Sequence, residues 1–403
     1  MIVLSGAEIV LPDRILSPGT LTMDGGRIVD IKPGSTHAAT PLLHGHYILP
    51  GFIDVHVHGV FGVDSLEDGA IAAMAARLPQ YGVTAFCPTT VACSPTDLRR
   101  VLTQVADART QPQPRGARVL PAHLESNFIS AEYKGAQPME CLRRPRAALD
   151  GWAGRAGRAG DSEDRSFEAV EILREIERAA PDVGIVTVAP ELDGGVEMIE
   201  WLASRGHRVS LGHSGATYDQ ALAGIAAGAR HATHLFNRMP RLDHRAPGLV
   251  GAVLQTDDVA AELICDGIHV HPALIRTAVA AKRPQKIFAI TDGTGASGLP
   301  DGTRAVLGGR AITSRDGAAY LADGTLAGSV LTMDAALRVL VERIGFSLVD
   351  AATMCATTPA RELGLIGHGL LSLDAVADVV VLDAQLTVVQ TYVGGQLAYS
   401  RTT

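Results

Sequence analysis

The chain has 403 residues, more than one hydrophobic core usually supports, so we expect a large barrel with an accessory domain, or two domains. Its hydrophobic content of 47% and charged content of 19% are typical of a globular protein and argue against a disordered or membrane-embedded chain. The formal net charge of -8 disfavours nucleic acid as a partner, because phosphate backbones are bound by basic surfaces.

Cysteine usage and the amino-terminal segment predict a cytoplasmic protein. The 5 cysteines are scattered and form no CxxC pair, which disfavours a disulfide framework and a cysteine zinc site. The first residues, MIVLSGAEIVLPD, lack the basic start and the long apolar stretch of a signal peptide. The sequence contains no uninterrupted apolar run of about 18 residues, the length that would predict a membrane span.

Both ends of the chain are rich in β-strand patterns. Residues 1–48 contain alternating apolar runs, and the turn at Asp24-Gly25-Gly26 is typical of a β-hairpin. Residues 370–403 continue the pattern in ADVVVLDAQLTVVQTYVGGQLAYS. Because the termini of folded domains often lie close together, we predict one small β-sandwich domain built from both ends. The predicted barrel then spans residues 49–369.

The middle of the chain alternates β-branched runs with amphipathic helical segments such as FEAVEILREIERAAP. The strand candidates are FIDVHVH, VTAFCPT, ARVLPAHLE, GIVTVAPE, HRVSLGHS, ARHATHLF, AAELICDG and KIFAITDG. Such a series predicts an α/β fold, a (β/α)8 TIM-like barrel. A doubly wound sheet is the alternative, but no strand is followed by GxGxxG. The stretch at 143–166 lacks a clear period and is interpreted as a surface loop.

Histidine and carboxylate residues that can bind a metal or transfer a proton lie at the carboxyl ends of these strand candidates, where barrel active sites form. They are His56, His58, Glu125, His213, His234 and Asp292. His56 and His58 are two positions apart on one strand, so both side chains lie on the same face. Imidazoles and a carboxylate together are typical ligands of Zn²⁺ or Fe²⁺. The pattern predicts a divalent metal site, with Asp292 as the base that takes a proton from water.

The remaining histidines are assigned separately. His123 faces the same interior as Glu125, and both metal ligation and a supporting role stay open for it. In CDGIHVHP, we predict substrate contact for His269 but not for His271. Five histidines belong to no such grouping and are predicted to be structural: His37, His44, His46, His207 and His231.

With these residues in place, the sequence resembles the amidohydrolase superfamily, and within it the N-acetylglucosamine-6-phosphate deacetylase family. The similarity runs from ILPGFIDVHVHG to ADVVVLD. Its most specific stretches, in the family's order, are HLESNFIS with KGA, SLGHSGAT, ATHLFNRM, RAPGLVGA, LICDGIHV, TDG and LAGSVLTMDAALRVLV. The resemblance implies a metal-dependent hydrolase that removes the acetyl group from an N-acetyl amino-sugar 6-phosphate, with N-acetylglucosamine 6-phosphate as the first candidate.

The resemblance also implies a ligand set. It assigns a metal ion to Glu125, His213 and His234, and it makes His56 and His58 plausible ligands of a second ion, so one or two zinc or iron ions are expected. Many members of the superfamily bridge two metals with a carbamylated lysine after the fourth strand. Here that strand ends in VAPE, and Glu125 looks like the substitute. This argues against a dihydropyrimidinase-type enzyme.

For the substrate, the resemblance implies contacts from several loops: Ala136, Gln137, Asn237, Arg238, Arg245, Asp266, His269, Leu326, Ala327 and Gly328. The guanidinium of Arg245 suits a phosphate clamp, because it donates two parallel hydrogen bonds. Family members are commonly homodimers in which this arginine reaches the neighbouring subunit's site. No nucleic acid and no membrane are expected as partners.

Three departures from the family's pattern alter the predicted pocket walls. Ser126 and Asn127 replace the usual Gly-Pro after the metal-binding glutamate, Gln137 stands where a histidine is frequent, and Ala246 stands where an acidic residue is common. These changes suit the same reaction on a related substrate, such as N-acetylgalactosamine 6-phosphate or another N-acetylated sugar. An N-acyl amino acid deacylase and a non-catalytic sugar-phosphate-binding paralogue are the remaining alternatives.

Overall fold

The computed structural model describes residues 1–36, 42–155 and 166–401. His37, predicted to be structural, lies outside the described residues. In chain order, the strands before the barrel are β1 (Ile2–Val10), β2 (Ile15–Asp24), β3 (Arg27–Pro33) and β4 (Tyr47–Pro50). The next are β5 (Phe52–Val57), β6 (Gly59–Val60), β7 (Val63–Asp64), β8 (Val83–Thr90), β9 (Arg118–Val119), β10 (Ala122–Leu124), β11 (Val183–Val188), β12 (Arg208–Leu211), β13 (His231–Ala232), β14 (Ala260–Ile264) and β15 (Ile287–Ile290). The last are β16 (Arg304–Leu307), β17 (Arg310–Arg315), β18 (Ala318–Leu321), β19 (Leu326–Ser329), β20 (Val379–Leu382), β21 (Val388–Val393) and β22 (Gln396–Ser400).

Helices separate the central strands, and further helices follow the last of them. They are α1 (Ala70–Arg77), α2 (Pro95–Thr110), α3 (Pro145–Trp152), α4 (Ala169–Arg178), α5 (Gly195–Ser204), α6 (Tyr218–Ala226), α7 (Gly248–Gln255), α8 (Pro272–Lys282), α9 (Met333–Arg338), α10 (Leu348–Ala352) and α11 (Thr358–Glu362). Local chemistry begins several of them. Ser94 caps α2 by accepting a hydrogen bond from the Asp97 amide, and Pro95 occupies the first turn, where its missing N–H costs nothing. Across the described ranges, no helix has the length and apolarity needed to cross a membrane.

The central strands form a nearly closed parallel barrel. Their order is β15, β14, β13, β12, β11, β10, β8, β5, so neighbours in space follow neighbours in sequence, and all the strand candidates are confirmed. Strands such as β8 and β14 are buried along their whole length, as expected when helices cover one face and the core fills the other. The first and last strands meet at one end: the Asp292 amide donates to the His56 carbonyl (2.9 Å), and the His58 amide donates to the Gly293 carbonyl (2.8 Å).

The two ends of the chain join in one seven-stranded sheet, in the order β22, β21, β20, β4, β1, β2, β3. Strand β4, from the amino-terminal part, pairs with β20, from the carboxyl-terminal part. Side chains of this sheet form a separate apolar core that includes Ile9, Leu21, Ile48, Val379 and Val381. The fold class predicted from the sequence, an α/β barrel with a small β domain from both termini, is confirmed. The exact domain boundaries, 1–48 with 370–403 and 49–369, stay a prediction.

Two elements differ from the expectation. A four-stranded antiparallel sheet, β16 to β19, follows the eighth barrel strand and was not anticipated. Its signal was present in the sequence, since Gly308-Gly309, Asp316-Gly317 and Asp323-Gly324 separate short β-prone runs at hairpin spacing. The 143–166 segment is also not all loop, because α3 occupies Pro145–Trp152; residues 156–165 lie outside the described part.

A buried histidine in the barrel predicts acid sensitivity. His231 on β13 packs its ring against Phe288 at 5.0 Å, and burial lowers its pKa from 6.5 to about 3. The unfolded chain binds a proton there below pH 6.5 while the folded chain does not, so this contribution to stability is present above pH 6.5 and is lost as the pH falls toward 3.

Between pH 7.5 and pH 5, we expect the free energy of unfolding of wild type to fall by about 2 kcal/mol more than that of His231→Gln, measured by urea unfolding. His244→Gln, at an exposed histidine, is the matched control. Equal losses in wild type and His231→Gln would contradict this assignment.

Candidate active site

The residues that the sequence placed at the strand ends come together at one end of the barrel. His56 is the penultimate residue of β5 and His58 directly follows the strand, while Glu125 directly follows β10. The others stand two positions beyond their strands: His213 after β12, His234 after β13 and Asp292 after β15. All are buried, with Asp292 the most exposed at 7%. Parallel strands all end at the same rim, which is why residues so far apart in sequence meet.

Glu125 is the centre of the first group. Its Oε1 lies 2.7 Å from His213 Nε2 and 2.8 Å from His234 Nε2, and these two nitrogens are 3.1 Å apart. His213 Nδ1 lies 2.8 Å from the Tyr133 carbonyl oxygen, which only accepts hydrogen bonds. Nδ1 therefore carries the proton, and in the neutral ring the Nε2 lone pair faces Glu125 and His234.

The histidine pair forms the second group, on the other side of the same carboxylate. His56 Nε2 and His58 Nε2 are 3.2 Å apart, and His58 Nε2 lies 3.4 Å from Glu125 Oε2. Asp292 Oδ1 is 3.2 Å from His58 Nε2 and 3.4 Å from His56 Nε2. Within the described part of the chain, three sets have metal-binding geometry: Glu125 with His213 and His234; His56 with His58 and Glu125; and His56 with His123 and Glu262.

The electrostatics of this cluster favour a positive charge. Burial by itself opposes ionisation of Glu125, but the neighbouring His213 and the other surrounding imidazoles hold the pKa of this carboxyl well below its usual range. Burial also opposes a charge on His58, yet its contacts with Asp292 and Glu125 raise the pKa of His58 to about 10. Burial lowers the pKa of His56 to about 3. Two buried carboxylates thus require a neighbouring cation, because unpaired buried charge is costly.

Backbone strain is concentrated in the same loops. Left-handed φ angles of 46°, 30° and 48° occur at His213, His234 and Asp292. Residues other than glycine rarely adopt this backbone conformation, because the Cβ atom clashes with the backbone. Phe236 and Arg238, on the loop that follows His234, also lie in this region, at 78° and 53°. Such conformations cost about 1–3 kcal/mol each and persist where the surrounding structure enforces them, typically at functional sites.

A hollow opens beside the cluster. Besides the residues of the cluster, its walls are formed by Ala136, Gln137, Asn237, Arg238, His269, Leu307, Leu326 and Gly328. All but Leu307 were among the substrate residues implied by the resemblance. Leu307 lies on β16, in the sheet that the sequence analysis missed, so its place in the wall was not predictable from the strand-end pattern.

The departures from the family's pattern have specific contacts. The Gln137 amide nitrogen donates to Glu125 Oε2, and its oxygen accepts from the Ala92 amide at 2.7 Å, which fixes the orientation of the side chain. Ser126 donates to the Thr187 carbonyl, and Asn127 donates to the Cys93 carbonyl at 2.8 Å. Ser126 and Asn127 therefore bind backbone carbonyl groups of neighbouring segments, whereas Gln137 contacts the cluster directly.

Three of the implied substrate residues lie outside the walls of this hollow. Arg245 is exposed and lines a different hollow, with Tyr218 and Pro240. Asp266 accepts from His269 Nδ1 at 2.5 Å, so it contacts the wall residue His269 from behind. His269 Nε2 has no hydrogen-bond partner among the described residues. Ala327 is fully buried. His271, for which substrate contact was not predicted, caps α8 instead.

Glu262 is the residue that the sequence analysis overlooked. It is fully buried on β14, and its Oε2 lies 2.9 Å from His56 Nδ1. A charged residue in the otherwise apolar stretch AAELI was the available signal, because a buried carboxylate needs a partner. His123, for which two roles stayed open, has its Nδ1 3.0 Å from the Val55 carbonyl and its Nε2 3.0 Å from Thr187 Oγ1.

Comparison with known proteins agrees with this architecture. Residues 47–398 match the family model described as the amidohydrolase family. The N-acetylglucosamine-6-phosphate deacetylase of Bacillus subtilis (strain 168) is 33% identical over 405 residues, covering 97% of this chain and 95% of the relative. The N-acetylgalactosamine-6-phosphate deacetylase of Escherichia coli O157:H7 is 36% identical over 354 residues, covering 87% of each.

Among solved structures, a mutant N-acetyl-D-glucosamine-6-phosphate deacetylase from Mycobacterium smegmatis in complex with N-acetyl-D-glucosamine-6-phosphate superposes with a TM-score of 0.86, at 30% identity and 99% coverage of both chains. The barrel and its buried histidine–carboxylate cluster define an amidohydrolase, and the chain belongs to the amidohydrolase family. Within it, identities above 30% over nearly whole chains confirm membership of the N-acetylglucosamine-6-phosphate deacetylase family.

Proposed function

We propose that the protein is a divalent-metal-dependent deacetylase that hydrolyses N-acetylglucosamine 6-phosphate to glucosamine 6-phosphate and acetate. The observation that carries the proposal is the arrangement around Glu125: one carboxylate oxygen faces His213 and His234, the other faces His58, and Asp292 stands at the same rim. The named activities of the full-length relatives support the substrate class.

The donor set fits a divalent ion. The Nε2 atoms of His213 and His234 converge on Glu125 Oε1, and the proton on His213 Nδ1 leaves an Nε2 lone pair for coordination. We propose this group as the first metal site, with His56 and His58 next to Glu125 Oε2 as a second. Nitrogen and oxygen donors of this kind suit zinc or iron.

Different residues of the chain are then proposed to bind the metal and to transfer the proton. A divalent ion bound at Glu125, His213 and His234 would polarise the acetamide carbonyl and lower the pKa of water toward neutrality. Asp292 takes the proton from the attacking water and returns it to the departing amine, because an amine leaves poorly without a proton. Burial opposes a charge on Asp292, but contacts with His56 and His58 keep the pKa of Asp292 below its usual range, so the carboxylate is ionised at neutral pH.

The walls of the hollow orient the sugar in this proposal. Asn237, Arg238 and His269 line the hollow and carry hydrogen-bond donors, and the Gln137 amide donates to Glu125, the carboxylate of the proposed first metal site. Arg245 lies outside its own chain's hollow and is exposed, which supports the proposal that it reaches the phosphate of a neighbouring subunit in a homodimer. The unpaired cysteine thiols support a reducing, cytoplasmic location.

A second candidate substrate is N-acetylgalactosamine 6-phosphate. The Escherichia coli O157:H7 relative with that named activity is 36% identical over 87% of this chain, as similar as several relatives named for the glucosamine sugar. The two sugars differ only in the orientation of one hydroxyl group, which the wall residues would distinguish by hydrogen bonding.

The test is acetate release from a panel of N-acetylhexosamines, each with and without a 6-phosphate, using protein loaded with zinc or iron. We expect the phosphate to raise kcat/KM about 100-fold or more, because charge-assisted hydrogen bonds to the phosphate are lost in the neutral sugar. The control is the same protein after removal of the metal by a chelator, which should release no acetate. Equal rates with and without phosphate would contradict the substrate assignment, and full activity of metal-free protein would contradict the mechanism.

A further inference from the structure

Glu262 contacts both groups of candidate metal ligands from the interior of the barrel. It lies in the middle of β14, fully buried inside the barrel. A single oxygen, Oε2, lies 2.9 Å from His56 Nδ1 and 3.2 Å from the backbone nitrogen of His234. One carboxylate oxygen thus contacts a residue of each group.

Direct metal ligation by Glu262 is the alternative, because Glu262, His56 and His123 form a set with metal-binding geometry. The hydrogen bonds of His123 argue against that reading. Its Nδ1 faces the Val55 carbonyl, which only accepts, so Nδ1 must carry a proton and has no lone pair to offer. Its Nε2 is occupied by Thr187 Oγ1. Within the described residues, both nitrogens of His123 therefore have hydrogen-bond partners in the barrel interior.

His56 uses its two nitrogens differently. Nδ1 faces Glu262, whereas Nε2 faces His58 and Asp292 at the rim. A carboxylate that accepts a hydrogen bond from Nδ1–H fixes the tautomer in which Nε2 keeps its lone pair, and such an outer carboxylate also fixes the ring orientation.

We propose that Glu262 is a positioning residue for metal binding: it accepts a hydrogen bond from the protonated His56 Nδ1, holds the His56 Nε2 lone pair toward His58, and anchors the backbone of His234. The inference rests on the metal-binding part of the proposed function and adds a residue that acts through the ligands. The second hydrogen bond matters because His234 adopts its left-handed conformation where its amide meets Glu262.

The first test measures metal affinity. Metal-free wild type and Glu262→Gln are titrated with Zn²⁺ by calorimetry, and the bound metal is counted by elemental analysis. We expect Glu262→Gln to bind zinc about 10–100-fold more weakly at the His56–His58 group, the usual effect of losing an outer carboxylate. The matched control is Glu175→Gln, because Glu175 is also a buried carboxylate but pairs with Arg99 and Arg178. Unchanged affinity and stoichiometry in Glu262→Gln would overturn the proposal.

The second test needs neither metal nor a folded variant of Glu262. Nitrogen-15 NMR of histidine side chains in metal-free wild type reports which nitrogen of His56 carries the proton, with His56→Gln used to assign the signal. We expect the proton on Nδ1; a proton on Nε2 would overturn the proposal. If wild type binds no divalent ion at all, the proposed function fails, while the tautomer of His56 still decides whether Glu262 orients that ring.

Discussion

Asp292→Asn is expected to lower kcat for deacetylation by about 10³-fold while KM for the N-acetylated sugar phosphate changes little. An asparagine has nearly the same shape, so the hollow and its walls are preserved, but its amide neither accepts a proton from water nor returns one to the amine. General acid–base groups typically contribute about 10²–10⁴-fold to the rate. Steady-state acetate release with metal-loaded variant and wild type measures the effect.

Asp334→Asn is the matched control for this variant. Asp334 is also a buried aspartate on the segment after the barrel's eighth strand, but it pairs with Arg338 on its own helix. Its loss is expected to reduce stability without a comparable loss of kcat. If Asp292→Asn turns over substrate at nearly the wild-type rate with its metal in place, Asp292 has no part in proton transfer.

The environment of Asp292 explains why this effect should be large. Its backbone is held by the hydrogen bond from its amide to the His56 carbonyl and by the Ser329 amide, which donates to its carbonyl at 2.8 Å. Gly328 is required beside it, because a Cβ there would lie 2.9 Å from the Asp292 carbonyl oxygen. The base therefore sits on a rigid backbone, so little reorganisation is needed during proton transfer.

Much of this architecture was predictable because the relevant signals are local or periodic. The β-strand patterns identified every barrel strand, and the strand-end rule of the barrel brought His56, Glu125 and Asp292 to one rim. The four-stranded sheet, which adds Leu307 to the wall, was not predicted, because it follows the eighth barrel strand and so lies outside the alternation of strands and helices that defines the barrel.

Other features of the site depend on contacts that no pattern in the sequence encodes. Gln137 was expected to face substrate, yet its orientation is set by the Ala92 amide, a residue 45 positions away. The role of Glu262 depends on a partner 206 positions away in the chain. Such pairings follow from the register of neighbouring strands and loops, so single-sequence reasoning identifies the residue types but not their hydrogen bonds.

Glu125→Gln is expected to abolish tight metal binding and to lower kcat/KM by about 10³-fold or more. The two Glu125 oxygens face different groups, with Oε1 toward His213 and His234 and Oε2 toward His58 and the Gln137 amide. A glutamine offers one oxygen and one NH2 group, so in either orientation it presents N–H bonds to one set of nitrogens. It also removes a negative charge from the metal site, and loss of the metal removes several kcal/mol of transition-state stabilisation.

Elemental analysis and acetate release on the same preparations measure both effects. Glu191→Gln is the matched control, because Glu191 accepts from Ser214 Oγ at 2.7 Å and from the Gly215 amide at 2.6 Å in the loop after His213, without contacting the cluster. We expect that variant to keep its metal. If Glu125→Gln retains a full complement of metal and wild-type kcat/KM, the histidines alone are sufficient to bind metal in both groups. The Glu125 carboxylate is then not needed for metal binding or for the reaction.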